Sequence, residues 1–559
     1  MHPLTTGIDY LYLFWGKGNM LWKESCIFLY KQGLGRSDMR VIKFLVNPHY
    51  LLVICALIIG IVLRLWDFGN LPAGLSTDEA SIGVEAASLH YYGIDRNGMS
   101  FPVYFISWGS GQNVLYAYLL APLVPLGLSS DIIRLPMLIA GVLTLLVVYG
   151  IARKLFSPSA AIIAIFLMAI SPWHIMLSRW ALESNLLPFV FSLAFFCLLN
   201  VDRNPLWFLA CTTLLALSLY AYATAHFLVP LFLLLIVVFL LIKPIISRKV
   251  LLAGIALFVL LSIPIFLYII VNAFQLDPIH LGMITIPRMV SEPRFIAEIG
   301  ILNGGGLRWY INDLLTLAKI LFLHTDELIS NIIPPYGFLF PGAILFALVG
   351  AFLIAGKIKN QKSIGIWAFG AWLVLAFLLG IIQWPFVSRI NIFFIPLILC
   401  VTESLDWIIR DKKILFIPVS LGLMAYGVLF WRVYTGSEYR NAVGWYFNNG
   451  LIPAIQSDMK LPENPVCITN ETDMPYVYVE LADFRNPMDY LASIQYSDPN
   501  AKYRIVEHMG RYSFGIQNCK LDRNIIYILK NDQKLPLDES LFTSRTFGDY
   551  VVYYPKKTG

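Results

Sequence analysis

The stretch VLYAYLLAPLVPLGL, residues 114–128, decides the fold of this chain, because whether it crosses a bilayer sets the side of every segment after it. It is apolar throughout but short, since a hydrocarbon core of about 30 Å asks for roughly 20 apolar residues in a helix. Two prolines, Pro122 and Pro125, interrupt it. It reads either as a span or as a helix lying in the membrane interface.

The surrounding chain arbitrates. Its 559 residues are 58% hydrophobic and 14% charged, with a mean hydropathy of +0.69, which is the composition of an integral membrane protein. Apolar runs recur near 50–66, 133–151, 158–172, 186–200, 206–221, 227–242, 250–271, 337–356, 364–382, 390–409 and 414–431. If 114–128 does not cross, the cytoplasm receives the basic N-terminus, Arg153-Lys154, Asp202-Arg203, Lys243 to Lys249, Lys357-Lys359-Lys362 and Arg410 to Lys413. If it crosses, every later cluster moves outside while the N-terminus stays in, against the excess of Lys and Arg that cytoplasmic loops carry. The clusters therefore select an α-helical polytopic membrane protein of about eleven spans, with 114–128 as an interfacial helix in the first outer loop. Residues 67–132, 173–185, 222–226, 272–336, 383–389 and everything after 432 then face outward.

Three regions follow: a cytoplasmic N-terminal segment at 1–49, a transmembrane domain at 50–434 and an extracytoplasmic soluble domain at 435–559, where charge and proline return to ordinary levels. In the last, VCITN, YVYVEL, NIIYILK and YVVYYP read as strands of a small α/β domain. The first strong apolar run starts near Tyr50, too deep for a cleaved signal, and Met39 is the expected start of translation. The net charge of +6 sits in short clusters, without the basic stripe of a nucleic-acid binder. Cys55, Cys197, Cys211 and Cys400 lie in apolar runs and read as small buried hydrophobes. Cys467 and Cys519 are the only two cysteines of the outer domain, where an oxidising compartment allows them to pair.

Ionisable residues gather in the outward loops. The first carries GLSTDEASIGVEA (74–86), with Asp78, Glu79 and Glu85, followed by Asp95 and Arg96. The second, SPWHIMLSRWALESN, carries His174, Arg179 and Glu183; the third, YATAH, carries Tyr222 and His226; QWPFVSRIN places Arg389 at the head of a helix. Each has a plainer explanation. STDEA reads as a helix start capped by Ser76 or Thr77 with acids in the first turn, His174 beside Trp173 as an interfacial anchor, and Arg389 as a snorkelling cation. Taken together, acids, an arginine and a helix N-terminus at one mouth form the set needed to handle an anionic head group and a proton. A transporter would place its ionisable groups near the midplane.

The order of motifs resembles the GT-C superfamily of polyprenyl-phosphate-dependent glycosyltransferases, in the branch of protein O-mannosyltransferases and the lipid A aminoarabinose transferase. The likeness runs from about 50 to 430 and rests on STDEA, SLHYYGIDRNGMSFPVYF, SDIIRLPMLIAGVLTLLVVYGIARKLFS, SPWHIMLSRWALESNLLPF and NIIPPYGFLFPGAILFALVGAFL. The resemblance implies transfer of a sugar from a lipid-phosphate carrier to an acceptor hydroxyl, with inversion. It implies Asp78 as general base, Glu183 as the second catalytic acid and Arg389 as the phosphate-binding cation. Glu79, Glu85, Asp95, Arg96, Gln112, His174, Arg179, Tyr222 and His226 are further substrate-binding candidates. Many relatives carry a lysine where GSGQNVLYAYL has Gln112, so charge neutralisation leans on Arg389, with Arg96, Arg134 or Arg179 helping. No metal is expected to be required, although Asp78, Glu79 and Glu183 would suit Mg²⁺ or Mn²⁺. The partners implied are a polyprenyl-phosphate-linked sugar, a glycan, lipid or protein acceptor, and membrane lipids, at the membrane of a prokaryotic cell. The loop 272–336, with Pro278, Pro287, Pro293 and Gly304 to Gly306, reads as a cover over the site. A flippase of a lipid-linked saccharide and a non-catalytic scaffold of the same fold are the competing readings.

Overall fold

The computed structural model describes residues 48–109, 111–290, 306–361, 363–501 and 503–556. The expected start at Met39 and most of the N-terminal segment lie outside these residues, as do Pro293, Gly304 and Gly305. The chain opens with α1 (Pro48–Leu65), then α2 (Thr77–Tyr92), α3 (Leu115–Leu120), α4 (Ser130–Leu155), α5 (Pro158–Ile170), α6 (Pro172–Leu177), α7 (Glu183–Leu198), α8 (Trp207–Ala221), α9 (Ala225–Ile242) and α10 (Arg248–Ala273). A hairpin of β1 (Ile279–Leu281) and β2 (Ile284–Ile286) precedes α11 (Leu307–Ala318), α12 (Ala343–Gln361), α13 (Ile364–Ile382), α14 (Asn391–Asp411) and α15 (Phe416–Tyr434).

Helices occupy all eleven expected span positions, but length divides them. Among the described residues eight helices, α1, α4, α9, α10 and α12 to α15, are long and apolar enough to cross a membrane unaided. The other three are shorter: α5 has 13 residues, α7 has 16 and α8 has 15. At α5 the cause is local. Ser171 leaves helical geometry and caps α6, with its hydroxyl accepting from the His174 amide. The deciding stretch forms α3 and then a tight 3-10 turn over Ala121–Leu126 containing Pro125. The two pieces rise about 21 Å, too little for a core of about 30 Å.

Packing supports the alternation of the helices. Lys154 donates to the Leu199 carbonyl. Ser157 and Ser159 donate to Asp406, which also pairs with Arg410. Lys357 meets Glu403 at 2.6 Å and lies over the Phe156 ring. The basic ends of α4, α12 and α14 thus share one end of the bundle. In the middle, α14 is 83% buried over its span whereas α15 is 6% buried, so α14 is the central helix and α15 a lipid-facing flank. Cys197, Cys211 and Cys400 are buried as expected, but Cys55 is exposed, because α1 turns much of its apolar surface outward to lipid.

Beyond α15 come α16 (Ser437–Gly444) and α17 (Leu451–Asp458), then β3 (Val466–Ile468), α18 (Pro475–Ala482), α19 (Pro487–Leu491), β4 (Ile494–Tyr496), β5 (Val506–Met509), β6 (Tyr512–Phe514), β7 (Ile526–Lys530), β8 (Phe542–Phe547) and β9 (Tyr550–Pro555). The strands make one seven-stranded mixed sheet in the order β4-β5-β6-β3-β7-β9-β8. Cys467 on β3 is bonded to Cys519. Of the four expected strands, YVYVEL is the exception: it lies in α18. Pro475 at the first helical position favours the turn, and β3 runs parallel to both its neighbours, a topology that needs a crossover. Val477, Tyr478, Val479 and Leu481 are buried, so α18 has no polar face to give it a helical period, and the alternation of Tyr and Val is misleading.

The long outer loop is largely built structure rather than free chain. Its hairpin docks on the first loop, where the Val103 amide donates to the Thr285 carbonyl at 3.0 Å. Asn272 closes the far side, donating to the Pro287 carbonyl at 2.9 Å and accepting from the Met289 amide at 2.6 Å.

Candidate functional site

The site is built on the first turn of α2. Ser76 caps the helix, its hydroxyl accepting from the Glu79 amide while the Glu79 carboxylate accepts from the Ser76 amide, a reciprocal capping box. Glu79 is fully buried, and Arg134 holds it with two parallel bonds of 2.7 and 2.9 Å. The Ala181 amide adds a third donor at 3.0 Å. The remaining donors of Arg134 go to the carbonyls of Gly69, Pro72 and Gly74. A guanidinium has five N–H groups, and all of Arg134's are engaged in shaping this loop. The side chain of a residue at Gly74 would collide with the Phe447 carbonyl, 2.2 Å from where its Cβ would stand, and the backbone there has φ +83°, so glycine lets the outer domain close on the loop.

Asp78, one residue before Glu79, is only half-buried. The outer domain seats its turn. Tyr478 on α18 donates to the Leu75 carbonyl at 3.0 Å, and Thr77 donates to the Asp473 carbonyl at 3.2 Å. Asn448 bonds Tyr478 and accepts in turn from Tyr550. Tyr446 stands beside the acids. Burial first, then the charges of Asp78, Glu79 and Asp473, push its hydroxyl well above the usual phenol range, so it keeps its proton. Sequence reading missed Tyr446 because its company is assembled by folding: Asp78 and Glu79 come from the first outer loop and Asp473 from the turn before α18.

The second loop supplies the floor. Glu183, at the first turn of α7, is buried and accepts from the Asn113 amide. Gln112 accepts from Ser81, one turn below Asp78, at 3.0 Å. Its Nε2 and the Oδ1 of Asn113 are buried polar atoms without a partner among the described residues, an unfavourable state that a ligand or water relieves. Asn113 was not singled out in the sequence; its proximity to Gln112 is the one signal that would have found it. Arg389 is half-buried two residues before α14 and lies over the Phe386 ring at 4.9 Å. The head of α14 is tied down: Asn391 accepts from Trp173 at 2.7 Å and donates to Asn185 at 2.8 Å. Asp326, at the end of the long loop, accepts from the Val387 amide at 2.8 Å, and burial raises its carboxyl above the usual range.

Other candidates sit inside the scaffold. Arg179 is fully buried and donates to the carbonyls of Leu63, Arg64, Asp67 and Leu71, satisfying the C-terminal end of α1. His174 is buried against Arg64, with Nδ1 at 2.6 Å from the guanidinium. Burial and that cation hold it well below the usual histidine range, hence neutral. Tyr222 is buried, and His226 lies 2.8 Å from the Leu219 carbonyl through Nε2. Glu85, Asp95 and Arg96 form a second buried group beneath the outer domain: Arg96 meets Glu85 at 3.2 Å, and Asp95 accepts from the amides of Asn97 and Met99. Among the described residues no three of His, Cys, Asp and Glu converge as metal ligands.

Residues 112–270 match the family model of dolichyl-phosphate-mannose-protein mannosyltransferases. No curated protein matches the chain in sequence. Among solved structures, an Archaeoglobus fulgidus oligosaccharyltransferase in complex with Zn and sulfate superposes with a TM-score of 0.51 at 14% identity, over 90% of this chain and 73% of its own. ArnT from Cupriavidus metallidurans, bound to undecaprenyl phosphate, superposes with a TM-score of 0.50 at 13% identity, over 91% of this chain and 98% of its own. The apo form of the oligosaccharyltransferase gives 0.49 at 14% identity over 78% of this chain, which spans 64% of that protein's length. At these identities the likeness is one of fold.

Proposed function

We propose that the chain is an inverting glycosyltransferase of the GT-C type, moving a sugar from a polyprenyl-phosphate carrier to an acceptor hydroxyl at the outer face of a prokaryotic cell membrane. The observation that carries this reading is the contrast between adjacent acids. Glu79 is fully buried under Arg134, whereas Asp78 is only half-buried.

In this reading the acceptor oxygen attacks the anomeric carbon while Asp78 takes its proton, and the bond to the carrier phosphate breaks on the opposite side of the ring. The electron pair leaves on the phosphate oxygen. Arg389 stabilises that charge with the N-terminal dipole of α14. Glu183 positions the 112–113 backbone, and Gln112 Nε2 with Asn113 Oδ1 offers a donor and an acceptor to sugar hydroxyls. The Cys467–Cys519 bond supports an outward, oxidising location for the C-terminal domain.

Asp78→Asn tests the base. Transfer by the purified protein should fall at least about 100-fold, within the range of general-base contributions, with the melting temperature and lipid-phosphate affinity unchanged; undiminished turnover would remove Asp78 from the mechanism. We propose further that no metal is required. Turnover should persist in excess chelator, and a loss restored by Mn²⁺ would overturn this.

A further inference from the structure

Between the first outer loop and the C-terminal domain runs a narrow cleft open to solvent, lined by Arg96, Trp108, Tyr476, Glu480, Tyr496 and Arg504. Its floor is polar and incomplete. Arg96 is 6% exposed; it donates to Ser107 at 2.9 Å, meets Glu85 at 3.2 Å and lies 4.9 Å from the Trp108 ring centre, yet its Nη1 has no partner among the described residues. Glu480 on α18 is 4% exposed, and its Oε2 likewise has none. A buried donor and a buried acceptor thus both lie unmatched in a cleft walled by aromatic rings, a state that costs stability unless something occupies it.

We propose that this cleft binds a neutral saccharide unit of the acceptor. A sugar ring presents C–H faces to Trp108 and Tyr496 and, around its edge, hydroxyls that both donate and accept, the combination that Arg96 Nη1 and Glu480 Oε2 require. An anion is disfavoured because, although Arg96 and Arg504 would attract it, it would lie among the carboxyls of Glu85, Asp95 and Glu480, which would all have to hold their protons for it to stay. A peptide is disfavoured because β4, the sheet edge beside the cleft, has three residues and a register shift at Gln495/Tyr496, a poor template for an added strand. Position fits as well. Arg96 binds α2 at Glu85, seven residues along the helix from Asp78, or roughly 10 Å at the rise of an α-helix, so a chain of a few sugar rings would reach from the cleft to the base. The proposal rests on the reading of Asp78 as that base.

The test uses the full chain in lipid nanodiscs, with cellotriose, mannotriose and chitotriose as probes in saturation-transfer NMR, beside a neutral Ser/Thr-containing peptide. At least one trisaccharide should bind saturably, with transfer concentrated on its ring C–H protons. Tyr496→Ala and Glu480→Gln should each weaken that binding about ten-fold or more, while polyprenyl-phosphate affinity is retained. Tyr496 lies on a surface strand, so its variant decides the matter if Glu480→Gln does not fold. No binding by any trisaccharide, binding indifferent to Tyr496→Ala, or binding of the peptide alone overturns the proposal. Asp78→Asn should keep saccharide binding; if that variant stays active, the base assignment falls while the cleft is judged on its own binding data.

Discussion

Asp78 and Glu79 are neighbours of the same chemistry with opposite circumstances. Glu79 accepts from a guanidinium and two backbone amides in full burial, so its charge is compensated inside the protein. Removing one partner of such a pair typically costs about 3–5 kcal/mol, because the other charge stays buried and unanswered. Glu79→Gln should therefore lower the melting temperature of the purified protein sharply. Asp78→Asn, in the same detergent, should leave melting unchanged and remove turnover. Equal melting for the two variants would mean that the pair with Arg134 does not hold the loop. The arginines divide by burial: Arg134 and Arg179 are buried and bind carbonyls that the fold leaves unsatisfied, and Arg389 is half-buried before α14.

At the scale of an element, the head of α14 matters most. Trp173 and Asn185 hold Asn391 from the second outer loop, and Asp326 holds Val387 from the long loop, so three segments meet where Arg389 is presented. A hydrogen bond to a charged group contributes about 1.5–3 kcal/mol. Arg389→Ala should accordingly weaken undecaprenyl-phosphate binding by roughly ten- to a hundred-fold. Arg389→Lys should recover part of it, since lysine restores the charge without the planar fork. Isothermal titration of both variants checks this. The α18 segment carries a different lesson: YVYVEL has strand composition, but the parallel pairing of β3 on both sides demands a crossover, and Pro475 begins it.

At the scale of the molecule, the outer domain is joined to the first loop through buried carboxyls, and these make stability depend on pH. Burial raises Glu85 and Asp95 above the usual range, and burial, opposed by Arg96, pushes Glu480 up to about 7. Each raised carboxyl keeps, in the folded protein, a proton that the unfolded chain has already released. The contribution is full below the ordinary carboxylate pKa and is lost as pH rises through about 7. Thermal melts should fall between pH 5.5 and 8.5 by an amount corresponding to about 1–3 kcal/mol, and Glu480→Gln should flatten the slope. A melting temperature that rises over that interval would place these carboxyls in a charged, fully paired state instead.

Hydropathy and charge are sums over local sequence, and by themselves they determined the membrane class and the eleven helix positions, and marked 114–128 as too short and too interrupted for an ordinary span. Capping is local too: Ser76 with Glu79 three residues on was readable as a helix start. Motif order pointed, at the same level, to the fold that the solved structures share. Which acid is buried under an arginine was decided only by tertiary structure, because that depends on where Arg134 lies relative to α2. The engagement of Arg179, the company of Tyr446, and the meeting of Arg96 with Glu480 are of the same kind. A side chain's hydrogen-bond capacity is fixed by its chemistry, but whether that capacity is used within the protein or left for a ligand depends on residues brought close by folding alone.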